Sequence, residues 1–245
     1  MHLVGDLIAR DRRSRDAALV TEAGRERTYH DLITNAYKAA NVFRYLGARE
    51  GATIAVEPRP TVHTILGFLG AAGLGAAVRF DPHAGIAAGD RVVLADVSDE
   101  GALDPAPGTN LAVFGGPPDR AATTHWEQEL WSENPGMPPS SIDRSDPVLR
   151  ESEHTVSHAT ALSAAASLVD SHGIDSETRV VLRADFSRPA AVIVGLIAPL
   201  LVVGAVVLTD TTVQAADPRG DIAVVPDRET PVPEQRVVAF ADVLE

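Results

Sequence analysis

The chain has 245 residues and no cysteine, which excludes disulfides, a thiolate nucleophile and a cysteine-ligated metal. It has a single lysine, Lys38, beside twenty arginines. Aromatic residues make up 4%, so the core must be built from Ala, Val, Leu and Ile. A basic excess is missing as well. The 34 acidic residues against 21 basic ones leave a formal charge of −13. Such a surface repels nucleic acid and anionic membranes, and both are set aside as partners. The N-terminus reaches Asp6 and then Arg10 to Arg15 without the apolar stretch of a secretory signal, so a cytoplasmic location is expected.

What is present suits one α/β domain. Apolar residues make up 45%, ample material for a core. Acid excess with loss of lysine fits a surface adapted to concentrated salt, where carboxylates hold water and arginine forms planar pairs. Coding bias toward Arg and Ala is the alternative, and it leaves the acid excess unexplained. Residues 190–208 form an apolar run of membrane-spanning length. Pro199 and Gly204 interrupt it and its end is β-branched, so a buried helix entering a central strand accounts for it better.

Leu3, Val4, Leu7 and Ile8 share one face of an amphipathic helix expected over 1–12. Strands are expected at 17–21, near 25–28, 53–56, 76–80, 91–95, 111–114, 180–183, 205–209, 222–225 and 236–240. Thr28 and Asp31 have the spacing of a capping box for a helix that stops at Gly47. Further helices are expected at 62–73, 124–130, 154–172 and 189–201. Residues 132–146, rich in Pro and Ser, read as a loop between two α/β halves of one domain spanning 1–245. Strand and helix alternate, which predicts an α/β fold with a mostly parallel sheet flanked by helices. The likeness between the halves is architectural, without a sequence repeat.

Several motifs occur in a familiar order. Arg27-Thr28-Tyr29-His30-Asp31-Leu32 precedes Leu46-Gly47-Ala48-Arg49-Glu50-Gly51, then Gly75-Ala76-Ala77-Val78 and Asp81-Pro82. Later come Val156-Ser157-His158-Ala159-Thr160-Ala161-Leu162 and the turn from Pro199 to Ala205, one residue longer than usual. This resembles the N-terminal part of the adenylate-forming superfamily, the acyl-CoA synthetases and AMP-dependent ligases. The resemblance implies the N-terminal subdomains of that fold.

The resemblance also implies a phosphate loop of Ser, Thr and Gly, closing with Pro-Lys-Gly, just before His158. In its place stand Asp146-Pro147-Val148-Leu149-Arg150-Glu151-Ser152-Glu153-His154-Thr155, with three acids, no glycine and no lysine. Lys38 lies in the scaffold part, away from where the family puts catalytic lysine. At Ser187-Arg188, where the family often carries a histidine beside its acyl pocket, there is none. The family's adenine, Mg and ribose motifs and its C-terminal domain do not follow in this sequence. No cofactor is therefore expected, and neither ATP nor AMP binding. The expectation is a non-catalytic, ligand-binding or regulatory relative. The alternatives are one subunit of a split ligase completed by a partner chain, and a structural protein that self-associates.

Other constellations have plainer readings. His154 and His158, four apart, are the one metal-ligand spacing, with Glu151 and Glu153 nearby, but no HExxH or third histidine completes it. A solvated helix start accounts for them better. Gly70 to Gly75 reads as a helix end, Gly115-Gly116 before Pro117-Pro118 as a turn, and His83 as a loop histidine. Arg12 and Arg13, in a basic island from Arg10 to Asp16, are expected at a helix C-terminus.

Overall fold

The computed structural model describes residues 1–84, 89–151, 154–209 and 219–243. The chain opens with two 3₁₀ turns, Val4–Ile8 and Arg10–Arg12, in place of the expected helix. Val4, Leu7 and Ile8 are buried as their spacing implies. The Asp6 carboxylate accepts from the N–H of His2 and Leu3, and Ala9 (ψ 143°) leaves helical space. Together these hold the segment to single turns.

A hairpin of β1 (Ala17–Val20) and β2 (Glu26–Thr28) leads straight into α1 (Tyr29–Tyr45). The expected capping box is present: Thr28 Oγ1 accepts from the Asp31 N–H (3.1 Å) and Asp31 Oδ2 from the Thr28 N–H (3.3 Å). Then come β3 (Thr53–Val56), α2 (Val62–Leu74) and β4 (Ala77–Phe80). Gly75, at φ 81°, ends α2 in the left-handed conformation. β5 (Asp90–Asp96), β6 (Asn110–Phe114), β7 (Thr124–His125) and α3 (Trp126–Ser132) follow. The helix expected from 124 starts two residues later, because Thr124 and His125 pair with β6.

A second hairpin, β8 (Pro147–Glu151) and β9 (His154–Ser157), leads into α4 (His158–His172). The helix expected from 154 thus begins at 158, where Ser157 caps it by accepting from the Thr160 N–H (3.1 Å). β10 (Arg179–Leu182) precedes a helix in three pieces: α5 (Pro189–Val192), a π-helical turn (Ile193–Ile197) and α6 (Ala198–Leu201). Pro199 brings no N–H to this helix, and the wider π turn lies directly before it. β11 (Ala205–Leu208), β12 (Ile222–Val225) and β13 (Arg236–Ala239) complete the chain. In the turn before β11, Val203 sits at φ 65°, which a β-branched residue rarely adopts. Among the described residues no helix is long and apolar enough to cross a membrane.

The strands form two sheets where the sequence implied one, in the orders β7-β6-β5-β3-β4-β8-β9 and β13-β12-β10-β11-β1-β2. Both are parallel except for β9 and β2. The architecture repeats. In each unit a hairpin leads to a capped helix, then strand, helix and strand, and the next strand crosses back beside the first. The hairpins are exchanged: β1-β2 docks on β11 of the other unit, and β8-β9 docks on β4. The sheets therefore do not divide at residues 132–146. That segment instead runs beside α2, with Met137 against Gly73 and Ile142 against Gly75.

One continuous core joins both units. Phe80 at the end of β4 meets Phe186 beyond β10 (5.1 Å between ring centres), and the Phe186 N–H donates to the Pro58 carbonyl (2.8 Å). Arg12 does reach a helix C-terminus, but a distant one. Its guanidinium donates to the carbonyls of Leu200 and Leu201 at the end of α6.

Candidate functional site

In an open parallel sheet, the crevice outside the strand C-termini opens where the strand order reverses. The repeat creates two such places. In the first sheet, β4 and β5 flank β3 on opposite sides. In the second, β11 and β12 flank β10.

The first crevice begins where β3 ends, at Glu57, and where β5 ends, at Asp96. Glu57 is buried, and its Oε2 accepts from the Asp96 N–H (2.7 Å). Arg59 bridges the two acids, with Nε 3.0 Å from Glu57 and Nη2 2.7 Å from Asp96. Burial pushes the Glu57 carboxyl up, against the pull of Arg59 and the Asp96 N–H. Burial also disfavours the Asp96 anion, but hydrogen bonds from Ser98 and Arg59 hold its carboxyl below the usual range. His63, in the first turn of α2, stacks on Phe114 (5.0 Å). Its Nε2 is 3.7 Å from Glu127, which also lies 3.5 Å from His125 and accepts from the Gly115 N–H (2.7 Å). Burial pushes the His63 imidazole down, and Glu127 opposes the shift. Gly115, at φ 88°, is the turn its sequence implied, aimed at Glu127.

The second crevice lies beyond β10, β12 and β13. A buried bidentate pair joins Arg183 to Glu234, with both contacts at 2.7 Å. Above it a hollow of about 550 Å³ is lined by Glu151, Asp185, Ser187, Arg188, Pro226 and Phe240. Arg188 reaches Glu151 at 3.5 Å across its mouth. The second hairpin, β8-β9, borders this hollow through Glu151. Glu151 and His154 are paired across the hairpin, so only residues 152 and 153 connect its strands.

His154 and His158 do not share a helical face. His154 is exposed on β9, whereas His158 opens α4 and is fully buried. The Val4 N–H donates to His158 Nδ1 (3.1 Å), which ties the N-terminal turn to α4, and burial pushes that imidazole down. Glu153 lies outside the described residues. Among the described residues, no group of three His, Cys, Asp or Glu side chains is placed to hold a metal. His83 faces Asp99 (3.5 Å) in an exposed loop. The sequence reading overlooked Glu57, Arg59 and Asp96. Their signal was present: charged residues directly following the apolar runs 53–56 and 92–95 mark strand C-termini.

No sequence-family profile matches the chain, and no curated protein matches it in sequence. Solved structures do share its fold. An anthranilate CoA ligase, AuaEII, in complex with anthranoyl-AMP matches with a TM-score of 0.72 at 17% identity, over 91% of this chain and 49% of that one. MatB from Rhodopseudomonas palustris matches with a TM-score of 0.71 at 16% identity, over 90% and 49%. The N-terminal domain of FACL13 from Mycobacterium tuberculosis matches with a TM-score of 0.74 at 18% identity, over 92% and 63%. The fold is that of the N-terminal part of acyl-CoA ligases. The chain spans about half the length of the ligases AuaEII and MatB.

Proposed function

We propose that this chain is a non-adenylating binding module built on the N-terminal scaffold of an acyl-CoA ligase. One observation carries the reading. The antiparallel pairing of Glu151 with His154 leaves two residues where a phosphate loop would be. Two residues cannot supply the run of backbone N–H groups that encloses a polyphosphate. The neighbouring side chains do not fit ATP either. Glu151 brings a carboxylate to the position, and the nearby guanidinium of Arg188 is engaged with it. A split ligase is the weaker reading, because the partner chain would have to bring its own phosphate-binding loop.

ATP–pyrophosphate exchange by the purified protein in molar KCl, with a panel of fatty and aryl acids, tests the proposal. The expected rate is that of the buffer blank. Acid-dependent exchange would overturn it. We also read the acidic surface as salt-adapted and the protein as cytoplasmic. A thermal midpoint that rises between 0.2 and 2 M KCl, at roughly constant osmotic strength, checks the first part. A midpoint unmoved by salt would sink it.

A further inference from the structure

Two hollows of about 380 Å³ each meet at the mouth of the first crevice and share Arg27, Val62 and His63. One is floored by Leu19, Leu32, Leu66 and Leu130, with Trp131 at its rim. The other is polar and presents Arg25, Arg27 and Arg59 together with the hydroxyls of Thr21 and Thr61.

The charges of the polar hollow are unevenly satisfied. Arg59 is held by Glu57 and Asp96. Among the described residues, Arg25 and Arg27 make no ion pair and no side-chain hydrogen bond. Glu22 lines the same hollow without pairing to either of them. Two guanidinium groups that face one hollow and have no acid partner among the described residues offer donors to an anion from outside.

In the apolar hollow, three of the charged groups on its lining are engaged in part by neighbours. Asp31 serves the capping box, Glu127 accepts from Gly115, and the Lys38 ammonium donates to the Trp131 carbonyl (3.3 Å). The Trp131 side chain lies bare beside it, 88% exposed. A large apolar ring at the edge of an apolar hollow is a surface that a ligand would cover. Between the hollows, His63 Nδ1 is buried without a hydrogen-bond partner among the described residues.

We propose that the two hollows form one site for a small amphipathic anion. Its head lies between Arg25 and Arg27, and its apolar body lies over Leu32, Leu66 and Leu130 against Trp131. The head is a carboxylate, sulfate or phosphate, all of which a guanidinium fork accepts. The size of each hollow suits a compact molecule. The inference rests on the binding role proposed above, but its test uses no nucleotide, so failure of either is seen separately.

The test is calorimetry with ligands of one tail and different heads, each below its micelle concentration: octyl sulfate, octyl phosphate, nonanoate, octyl glucoside and octyltrimethylammonium. One equivalent of an anionic ligand should bind, at least tenfold tighter than the glucoside or the cation. The ranking of the three anions then assigns the head. Arg27→Gln, on an exposed edge strand, should reduce anion affinity to that of the glucoside. Arg44→Gln, a distant exposed arginine, should leave it unchanged. Trp131→Ala should weaken the anions and the glucoside alike, with the thermal midpoint retained. Equal affinity for anion and glucoside would overturn the proposal. So would anion binding that survives loss of both Arg25 and Arg27.

Discussion

The two units repeat one architecture and treat charge at equivalent places in opposite ways. In the second unit, Arg183 and Glu234 form a bidentate pair with side chains only 10% and 1% exposed. In the first, Arg59 is 49% exposed and is shared by two acids beside a hollow that holds two further arginines. Topology made both crevices. The charged side chains are buried and paired in one of them and partly exposed in the other.

The largest expected effect is in the closed unit. Glu234→Ala takes a bidentate partner from a buried guanidinium and should cost about 3 kcal/mol, whereas Arg59→Ala should cost about 1 kcal/mol or less. Urea midpoints at constant slope measure both. Equal losses would break the contrast between a sealed and an open crevice.

Glycines against the central strands offer a second comparison. A Cβ on Gly195 would lie 2.1 Å from Leu182 Cδ2, while one on Gly67 would lie 2.9 Å from Leu94 Cδ2. Gly195→Ala should therefore destabilise by about 2 kcal/mol and Gly67→Ala by about 1 kcal/mol. The reverse order would mean that the second unit is the looser one.

Acid should act next. Burial pushes His158 and His63 below their ordinary value of 6.5. The unfolded chain then takes up protons first as pH falls. The stability contributed by the neutral imidazoles is full above about pH 6.5 and is lost below it, down to the lowered folded values. Asp6 and Asp146 face His158 and oppose its shift. Thermal midpoints should drop between pH 7 and pH 5, and His158→Gln should flatten that slope more than His63→Gln. An unchanged slope in both variants would show that other groups carry it.

The smallest effect concerns the helices that follow the hairpins. Thr28→Ala should cost about 1 kcal/mol, because it removes one half of a reciprocal box, and Ser157→Ala about 0.5 kcal/mol. Chemical denaturation at neutral pH is precise enough to rank them. Identical costs would show that the Asp31 half of the box adds nothing.

Local patterns were readable. The strands at 53–56 and 222–225 lie where their apolar runs placed them, and α1 starts at the box that Thr28 and Asp31 spell out. The hairpin at 147–157 was missed. Its strands are short and mixed in polarity, and β8 becomes a strand by pairing with β4, some seventy residues earlier. Ser157 carried a weak signal, a hydroxyl three residues before Thr160, without the acid that marks a full box. The crevice residues were individually visible as charges after apolar runs. Their meeting was not, because Glu57 and Asp96 come together only through strand order.

Periodicity, caps and turn residues act over one to four positions, so the chain alone was sufficient for the α/β class and for most of the helices and strands. Which hairpin joins which sheet, which helix end Arg12 reaches, and which acids hold Arg59 and Arg183 depend on contacts across the whole chain. Those contacts are settled by packing two repeated units around one core. No local pattern encodes them, since the same short segment can pair with any edge that offers it free N–H and C=O groups and an apolar face.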